Sequence, residues 1–518
     1  MFDLLIIGSG PSGAITADYF VNKGYKVALL DSGADSSNVH PINEKHFLEH
    51  KEDPGNDFFL APQNLKSSAD TGNAQLTRSR QHMLEHVETF LKISSNTYNP
   101  SQTLATGGLS AAWGAACFTF EKDDLKRAQL PDLSSHYHII SERIGISGPK
   151  ESMLCSLSNK QKSAKTDHNG LSILKYFNQK SDSLLKRNFV VENASLALLS
   201  QDLGSRRKTN YFDMDFYTNF GSSVFRADIL INELSKKSNF TRIKNAIAFT
   251  FAETENGAQI SYQNIATQEQ LSVSGKKLIL CCGAINSYRL AANALNIFDK
   301  PNPILTNPYI YIPTSHWPNI GKQGARDRHS LSQLFGQLTL PNKDKITLQF
   351  YSYRSLLLSR LIAQTPMPTF FARQFWRSLA ESLVIVGAHF PDDGSSKRSM
   401  HAQQCGTILP TLAVNFPTPS SNGLSSIIRN LLSLKCIPMG LVKTKMGGSI
   451  HYAGTIPNAP QGAFPITLDD NAKLHGTKNV YVFDSSGWNY LPSRGLTLTI
   501  MANAYRLSEL LHTQRGST

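Results

Sequence analysis

No stretch of this chain comes near the roughly 18 consecutive apolar residues of a membrane-spanning helix, so no helical span is expected. Cysteine is scarce. Cys117, Cys155, Cys281, Cys282, Cys405 and Cys436 include no C-x-x-C pair and no metal-like spacing. That excludes a redox dithiol and a zinc-ribbon type of centre, and no metal is expected. Cys281 and Cys282 lie in the apolar run KLILCCGA, where small buried thiols are ordinary. No internal repeat or long low-complexity tract is present. A dense basic stripe is also missing. The formal charge is +13, but Lys and Arg are scattered, with only short clusters such as Arg206-Arg207-Lys208. A basic solvated surface is therefore favoured over nucleic-acid binding. The opening run MFDLLIIGSG has no basic lead-in and is too short for a signal peptide, so a cytoplasmic protein is expected.

What is present suffices for a sizeable core: 518 residues, 40% hydrophobic and 18% charged, or about two to four domains. The strongest local signal is at the start. Leu4 to Ile7 read as a buried strand, followed at once by Gly8-x-Gly10-x-x-Gly13. A helical pattern follows through Ala14, Ala17 and Phe20, and a second strand, Val27 to Leu30, ends at Asp31. Each part has a physical task. Gly8 permits the tight turn, Gly10 lets backbone approach a pyrophosphate, and Gly13 lets the helix pack close to the strand. The helix N-terminus offers unpaired N–H groups and the positive end of its dipole. Asp31 is placed to accept ribose hydroxyls, which argues against a 2′-phosphate and leaves FAD or NAD.

Two further segments favour FAD alone, and no second GxGxxG is present for NAD(P)H. In 106–117, TGGLSAAWGAAC, consecutive glycines let backbone pass close to a flat ligand. In 479–502, NVYVFDSSGWNYLPSRGLTLTIMA, a strand leads into Asp484-Ser485-Ser486, a loop, and a helix starting near Thr497. A helix N-terminus there would stabilise negative charge on a reduced flavin.

With GSGPSG and Asp31, TGGLSAAWG, HYAGT (451–455) and NVYVFDSS…LTLTIMA, the chain resembles the glucose-methanol-choline (GMC) oxidoreductases. FRADILINEL (225–234) and KKLILCCGAINSYRLAANAL (276–295) resemble that family's central strands and helices, and the likeness is nearest the pyranose-oxidase-like branch and related bacterial members. The resemblance implies an α/β fold, with a doubly wound, Rossmann-like FAD-binding domain from 1–37, 101–125, 206–300 and 441–518. An extended loop or lid would cover 38–100, and a discontinuous α+β substrate-binding domain would use 126–205 and 301–440. It implies cofactor contacts from Gly8, Gly10, Ser12, Gly13 and Asp31; from Thr106, Gly107, Gly108, Ser110, Trp113 and Gly114; from Ile247 and Gly283; and from Asp484, Ser485, Gly495 and Leu496. The position of the branch's covalently tethered histidine is Ala112 here, so non-covalent FAD is expected.

The same resemblance assigns His451, in H-x-x-G-T, as the base that takes the hydroxyl proton of a small-molecule alcohol, a sugar or another polyol-like or secondary alcohol. An imidazole suits that task because its ordinary pKa, about 6.5, lies near working pH. His86, His316 and His389 have no such context and are read as structural. The family's second polar residue falls at Gly495, which cannot hydrogen-bond through a side chain. Three readings follow. Asn489, Ser493 or Arg494 compensates; one base is enough; or the protein runs a different flavin reaction, as a desaturase, isomerase or lyase. Arg494 is either a cation for an acidic substrate or anionic flavin, or an exposed loop arginine. Residues 369–386 and 424–435 read as amphipathic helices. Peripheral membrane contact is one reading; packing onto the substrate-domain sheet is favoured. The aromatic run 211–220 either lines a pocket or packs.

Overall fold

The computed structural model describes residues 1–33, 78–211, 219–322, 328–352, 362, 365–394, 398–415 and 422–514. Most of the segment 38–100 and of the aromatic run 211–220 therefore lies outside the described residues. The described end of the former holds a 3₁₀ turn (Arg78–Leu84), a short helix (Val87–Phe90) and a short strand (Ile93–Ser94).

The fold is mixed α/β with two seven-stranded sheets. In the first, Phe2–Ile7 lies parallel between Val27–Leu30 and Gln270–Leu280, and Phe240–Ile243 and Val480–Val482 extend the parallel part. Successive side chains of a strand point to opposite faces. Leu4 and Ile6 accordingly join the core beneath helices Pro11–Asn22 and Thr497–Thr513, while Leu5 and Ile7 join the core beneath helix Ala284–Ala294. Burial on both faces explains the unbroken apolar run LLII. The sheet is not parallel throughout. Gln270–Leu280 outruns its parallel partners, and its first half pairs antiparallel with Gly257–Asn264, which pairs in turn with Ala246–Thr254.

The second sheet is wholly antiparallel. Its order is Cys436–Pro438 with Val442–Lys443, then Tyr309–His316, Leu383–His389, Lys345–Ser352, Leu334–Thr339 and Phe189–Asn193. One face is apolar: Ile310, Ile312, Leu348, Phe350, Val384 and Val386 form a core with Ile427 and Leu431 of helix Leu424–Ser433. The opposite face carries Tyr309, Tyr311, Gln337, Thr347, Tyr351 and His389, and faces the first half of the molecule. Phe335 of this face stacks on Phe118 at 4.2 Å.

Residues 126–205 divide between the two halves. Helix Ser134–Ile144 lies against Thr497–Thr513, with Tyr137 and Thr499 hydroxyls 2.9 Å apart, whereas Phe189–Asn193 is an edge strand of the second sheet. The expected helix 369–386 is a helix only over Thr369–Ala380; Leu383–His389 is a strand. The apolar run LVIVGA suits a strand paired on both edges, and Ala380 ends the helix three residues before it. Thr369–Ala380 fully buries only Ala372 and Ala380, and leaves Phe371 and Phe375 exposed.

Candidate active site

The two glycine-rich segments, about a hundred residues apart, meet. Gly8 has φ +100°, and a Cβ there would lie 2.5 Å from the Cys281 carbonyl; at Gly13 it would lie 1.9 Å from the Gly8 carbonyl. Neither position admits a side chain. At Gly10 and Gly283 an added Cβ would meet nothing within 4 Å. Open space therefore lies beside the first turn of helix Pro11–Asn22, where backbone N–H groups can meet a pyrophosphate. Gly108 stands over Gly10, its Cβ direction 3.2 Å from the Gly10 Cα, and the Gly107 N–H donates to the Ser9 hydroxyl at 3.0 Å. The Ser110 hydroxyl donates to Gly107 and accepts from the Ala227 N–H; the Trp113 indole donates to Phe225. Ser12 is buried against the Cys281 thiol, and a Cβ added at Gly114 would lie 3.5 Å from the Tyr351 hydroxyl. These residues fit a dinucleotide cradle.

At the other end of the cradle the structure adds a residue that sequence reasoning missed. Arg242 pairs with the buried Asp31 carboxylate at 3.1 Å and also reaches the Thr106 hydroxyl. The Asp31 backbone carbonyl takes the Ala246 N–H, and the neighbouring Ile247 is buried among Phe90, Leu91 and Leu409. Asp484 is buried and accepts from the Ser287 hydroxyl at 2.6 Å and the Ser486 N–H at 2.9 Å. Burial raises its carboxyl pKa above the ordinary value. Leu496 is buried at the start of helix Thr497–Thr513, and its carbonyl accepts the Ile500 N–H.

The H-x-x-G-T pattern has a local explanation. Gly454, at φ +68°, passes 2.8 Å (Cβ direction) from the Trp488 carbonyl, so any side chain would collide. Thr455 is buried and donates to Ala284, next to Gly283, at 2.6 Å. The Gly454 N–H donates to Ser485, and the Ser485 hydroxyl donates to Tyr452. His451 is thus fastened, through the strand Tyr452–Ala453 that follows it, to the Asp484–Ser486 turn and to the Gly8–Cys281 corner.

Its ring is held separately. Asn307 donates its amide to the carbonyls of Phe390 (2.7 Å) and Pro492 (3.1 Å), so its carbonyl oxygen is the atom 2.8 Å from His451 Nδ1. His451 must therefore donate from Nδ1, which assigns the tautomer and leaves the lone pair on Nε2. Among the described residues no protein group takes that lone pair. Burial pushes the His451 pKa down to about 4, so the ring is neutral near pH 7.

His389, read from the sequence as structural, lies beside it. Its ring stacks on His451 at 4.8 Å and 19°, and on Tyr309 at 4.1 Å from the other side. Among the described residues, His389 Nδ1 is buried with no hydrogen-bond partner. Burial, and then His451, hold its pKa well below 6.5. Gly387 makes room for this column: a Cβ there would lie 2.2 Å from the Tyr309 hydroxyl. His389 ends the strand Leu383–His389, and the chain beyond it is tied to the Asn489–Pro492 loop by paired backbone bonds between Asp392 and Leu491.

The residues proposed to stand in at Gly495 are engaged elsewhere. Asn489 donates to Asn458 at 2.8 Å, and the Ser493 hydroxyl meets Thr347 at 2.9 Å. Arg494 is not an exposed loop arginine. It is 1% exposed and donates to Thr119, to Gln337 at 2.7 Å, and to Glu121. A side chain at Gly495 would be crowded, since a Cβ would lie 3.1 Å from the Phe118 ring and 3.2 Å from the Ala116 carbonyl. Gly495→Asn is therefore expected to destabilise by about 1–3 kcal/mol through overpacking and to leave activity no higher. Urea unfolding and turnover measured side by side check this; a faster variant would show that position 495 does face the substrate.

A separate cavity of about 560 Å³, between Leu295, Ile297 and residues 461–467, shares no residue with this site.

No family model matches the sequence, and no curated protein matches it. The fold is similar to a solved one, pyridoxine 4-oxidase from Mesorbium loti. The alignment covers 99% of this chain and 99% of that one, with a TM-score of 0.56 at 12% identity. At that identity the likeness is one of fold.

Proposed function

We propose that this chain is an FAD-dependent oxidoreductase that oxidises a CH–OH group of a small-molecule substrate, a sugar or another polyol-like or secondary alcohol. The observation that carries the reading is the fixed His451 ring, with Nδ1–H on Asn307 and a lone pair left on Nε2. The name of the structural relative, an oxidase, points the same way. The Gly8–Gly13 turn, Asp31 with Arg242, Gly107–Gly108 and Gly283 would hold FAD, without a covalent tether because Ala112 stands at the tether position. FAD, when bound, supplies the acceptor for the hydride. The chain's own residues do the rest. Asn307 orients the imidazole, and Nε2 accepts the hydroxyl proton. His389 stacks on that ring from a neighbouring strand and packs it in place. The alternative, a flavin-dependent desaturase, isomerase or lyase, was motivated by Gly495; His389 weakens that motive by supplying an imidazole from another strand.

The test is anaerobic mixing of the yellow protein with sugars and alcohols. Bleaching of the flavin with formation of a carbonyl product is expected. A product of unchanged oxidation level would sink the reading in favour of the alternative. The pH profile gives a second check. A base with a depressed pKa is active while neutral, so activity is lost only as pH falls through the depressed value. The bleaching rate is expected to stay level from pH 8 down to about 5.5 and to fall toward about 4. A midpoint near 6.5 would mean that burial does not set the His451 pKa.

A further inference from the structure

We propose that the outer edge of the second sheet, together with the exposed face of helix Thr369–Ala380, docks on an anionic lipid surface. The helix turns the wrong face inward for a packed element. Its outward side carries Phe370, Phe371 and Phe375 at 68%, 62% and 49% exposure, while only Ala372 and Ala380 are fully buried. The apolar surface continues beyond the helix. The Ser378 carbonyl takes the Gly321 N–H, which brings Trp317 and Ile320 beside the helix end. The Trp317 N–H donates to Lys435, at the start of Cys436–Pro438, where Ile437 and Met439 are exposed. Val442, on the same sheet edge, is also exposed and pairs with Tyr311.

A contiguous aromatic and aliphatic surface of this kind marks an interaction site. Its charges select the occupant. Residues 366–380 and 424–446 contain no Asp or Glu. Lys322, Lys435, Lys443 and Lys445 flank the apolar side chains, and all but the partly buried Lys435 are exposed. Bulky apolar groups among lysines are the composition of an element lying in a lipid interface, and each lysine adds attraction to anionic headgroups. A second copy of this chain fits poorly, because a two-fold contact would set lysines against lysines. No described helix is long and apolar enough to cross a membrane, so the contact is peripheral. The Val442 end of the surface lies beside Tyr311, two residues from the Tyr309 that stacks on His389. Docking would therefore bring the active-site end of the sheet close to the headgroups.

The experiment is co-sedimentation of the full-length protein with vesicles of phosphatidylcholine alone, or with about a third phosphatidylglycerol. Binding at least about tenfold tighter to the anionic vesicles, and lost in high salt, is expected. The double variant Phe371→Glu/Phe375→Glu should lose sedimentation with its thermal unfolding unchanged, since both rings are exposed. If that variant misfolds, Lys435→Glu/Lys443→Glu should abolish the preference for phosphatidylglycerol. No binding to anionic vesicles, or binding that the variants leave intact, overturns the proposal. So does a wild-type dimer that binds no vesicles and that Phe371→Glu/Phe375→Glu converts to monomer, because a second copy would then cover the face.

Discussion

His451→Ala is expected to leave the protein yellow and to slow substrate-driven bleaching by about a hundred- to ten-thousand-fold, the range for removing a positioned base. Flavin retention follows from the way the residue is held. His451 is anchored to the Asp484–Ser486 turn by backbone bonds of Tyr452 and Gly454, and its side chain touches Asn307 and His389 rather than the glycine turns. On the proposed reading the variant loses the base and keeps the residues that would hold the flavin. A variant that bleaches at the wild-type rate would remove His451 from the mechanism; one that emerges colourless would show that the ring supports the cofactor. His389→Ala should also slow bleaching, but adding it to His451→Ala should cost little more. Groups that act as a unit are not additive, and the two imidazoles share one stack. Full additivity of the two losses would show that they act separately.

The parts of this site that could be read from the sequence are those with a local cause. Gly8, Gly10 and Gly13 are spaced by a strand-to-helix turn, and Gly454-Thr455 by a collision with Trp488 and a bond to Ala284. Such constraints act over a few residues, so they leave a pattern. Arg242 and Asp31 are 211 residues apart, and Asn307 and His451 are 144 apart. Nothing near either residue announces the pairing. His389 was hidden for a second reason. It ends an apolar strand, LVIVGAH, that reads as the tail of the preceding amphipathic helix, and only the register opposite Tyr309 turns it toward His451. The break at Ala380 went unseen because a short apolar run suits a helix as well as a buried strand. The doubly wound character of the first sheet follows from the family resemblance and from Leu4–Ile7 leading through a helix to Val27–Leu30. Its antiparallel extension depends on how far Gln270–Leu280 outruns its neighbours.

Arg494→Met is expected to cost about 3 kcal/mol in urea unfolding at pH 7, the lower end of the range for stripping a buried charge of its partner. The lower end applies because Glu121, on the rim of the cluster, keeps 36% of its side chain exposed and is partly screened by solvent. Without the guanidinium, Glu121 is left with Lys345 alone, the buried Asp124 loses the cation paired with it, and the Thr119 carbonyl loses its donor. The cost should depend on pH with a defined sign. Burial alone would raise the Glu121 carboxyl, but Arg494 and Lys345 outweigh it and hold it below the ordinary value. A carboxyl depressed by folding stabilises above its unfolded pKa, and that contribution fades as pH falls through the folded value. The gap between wild type and Arg494→Met should therefore narrow as pH is lowered from 7 toward 4. A loss under about 1 kcal/mol at pH 7, typical of an exposed pair, would instead return Arg494 to the candidates for substrate binding. The loop then makes sense as a whole. Ser493 and Arg494 reach Thr347 and Gln337 on the inner face of the second sheet, and Gly495 lies flat on Phe118. This stretch clamps that sheet against the first half of the molecule. The clamp holds in place the same sheet face from which His389 stacks on His451, so the Ser493 and Arg494 side chains are engaged in positioning that face.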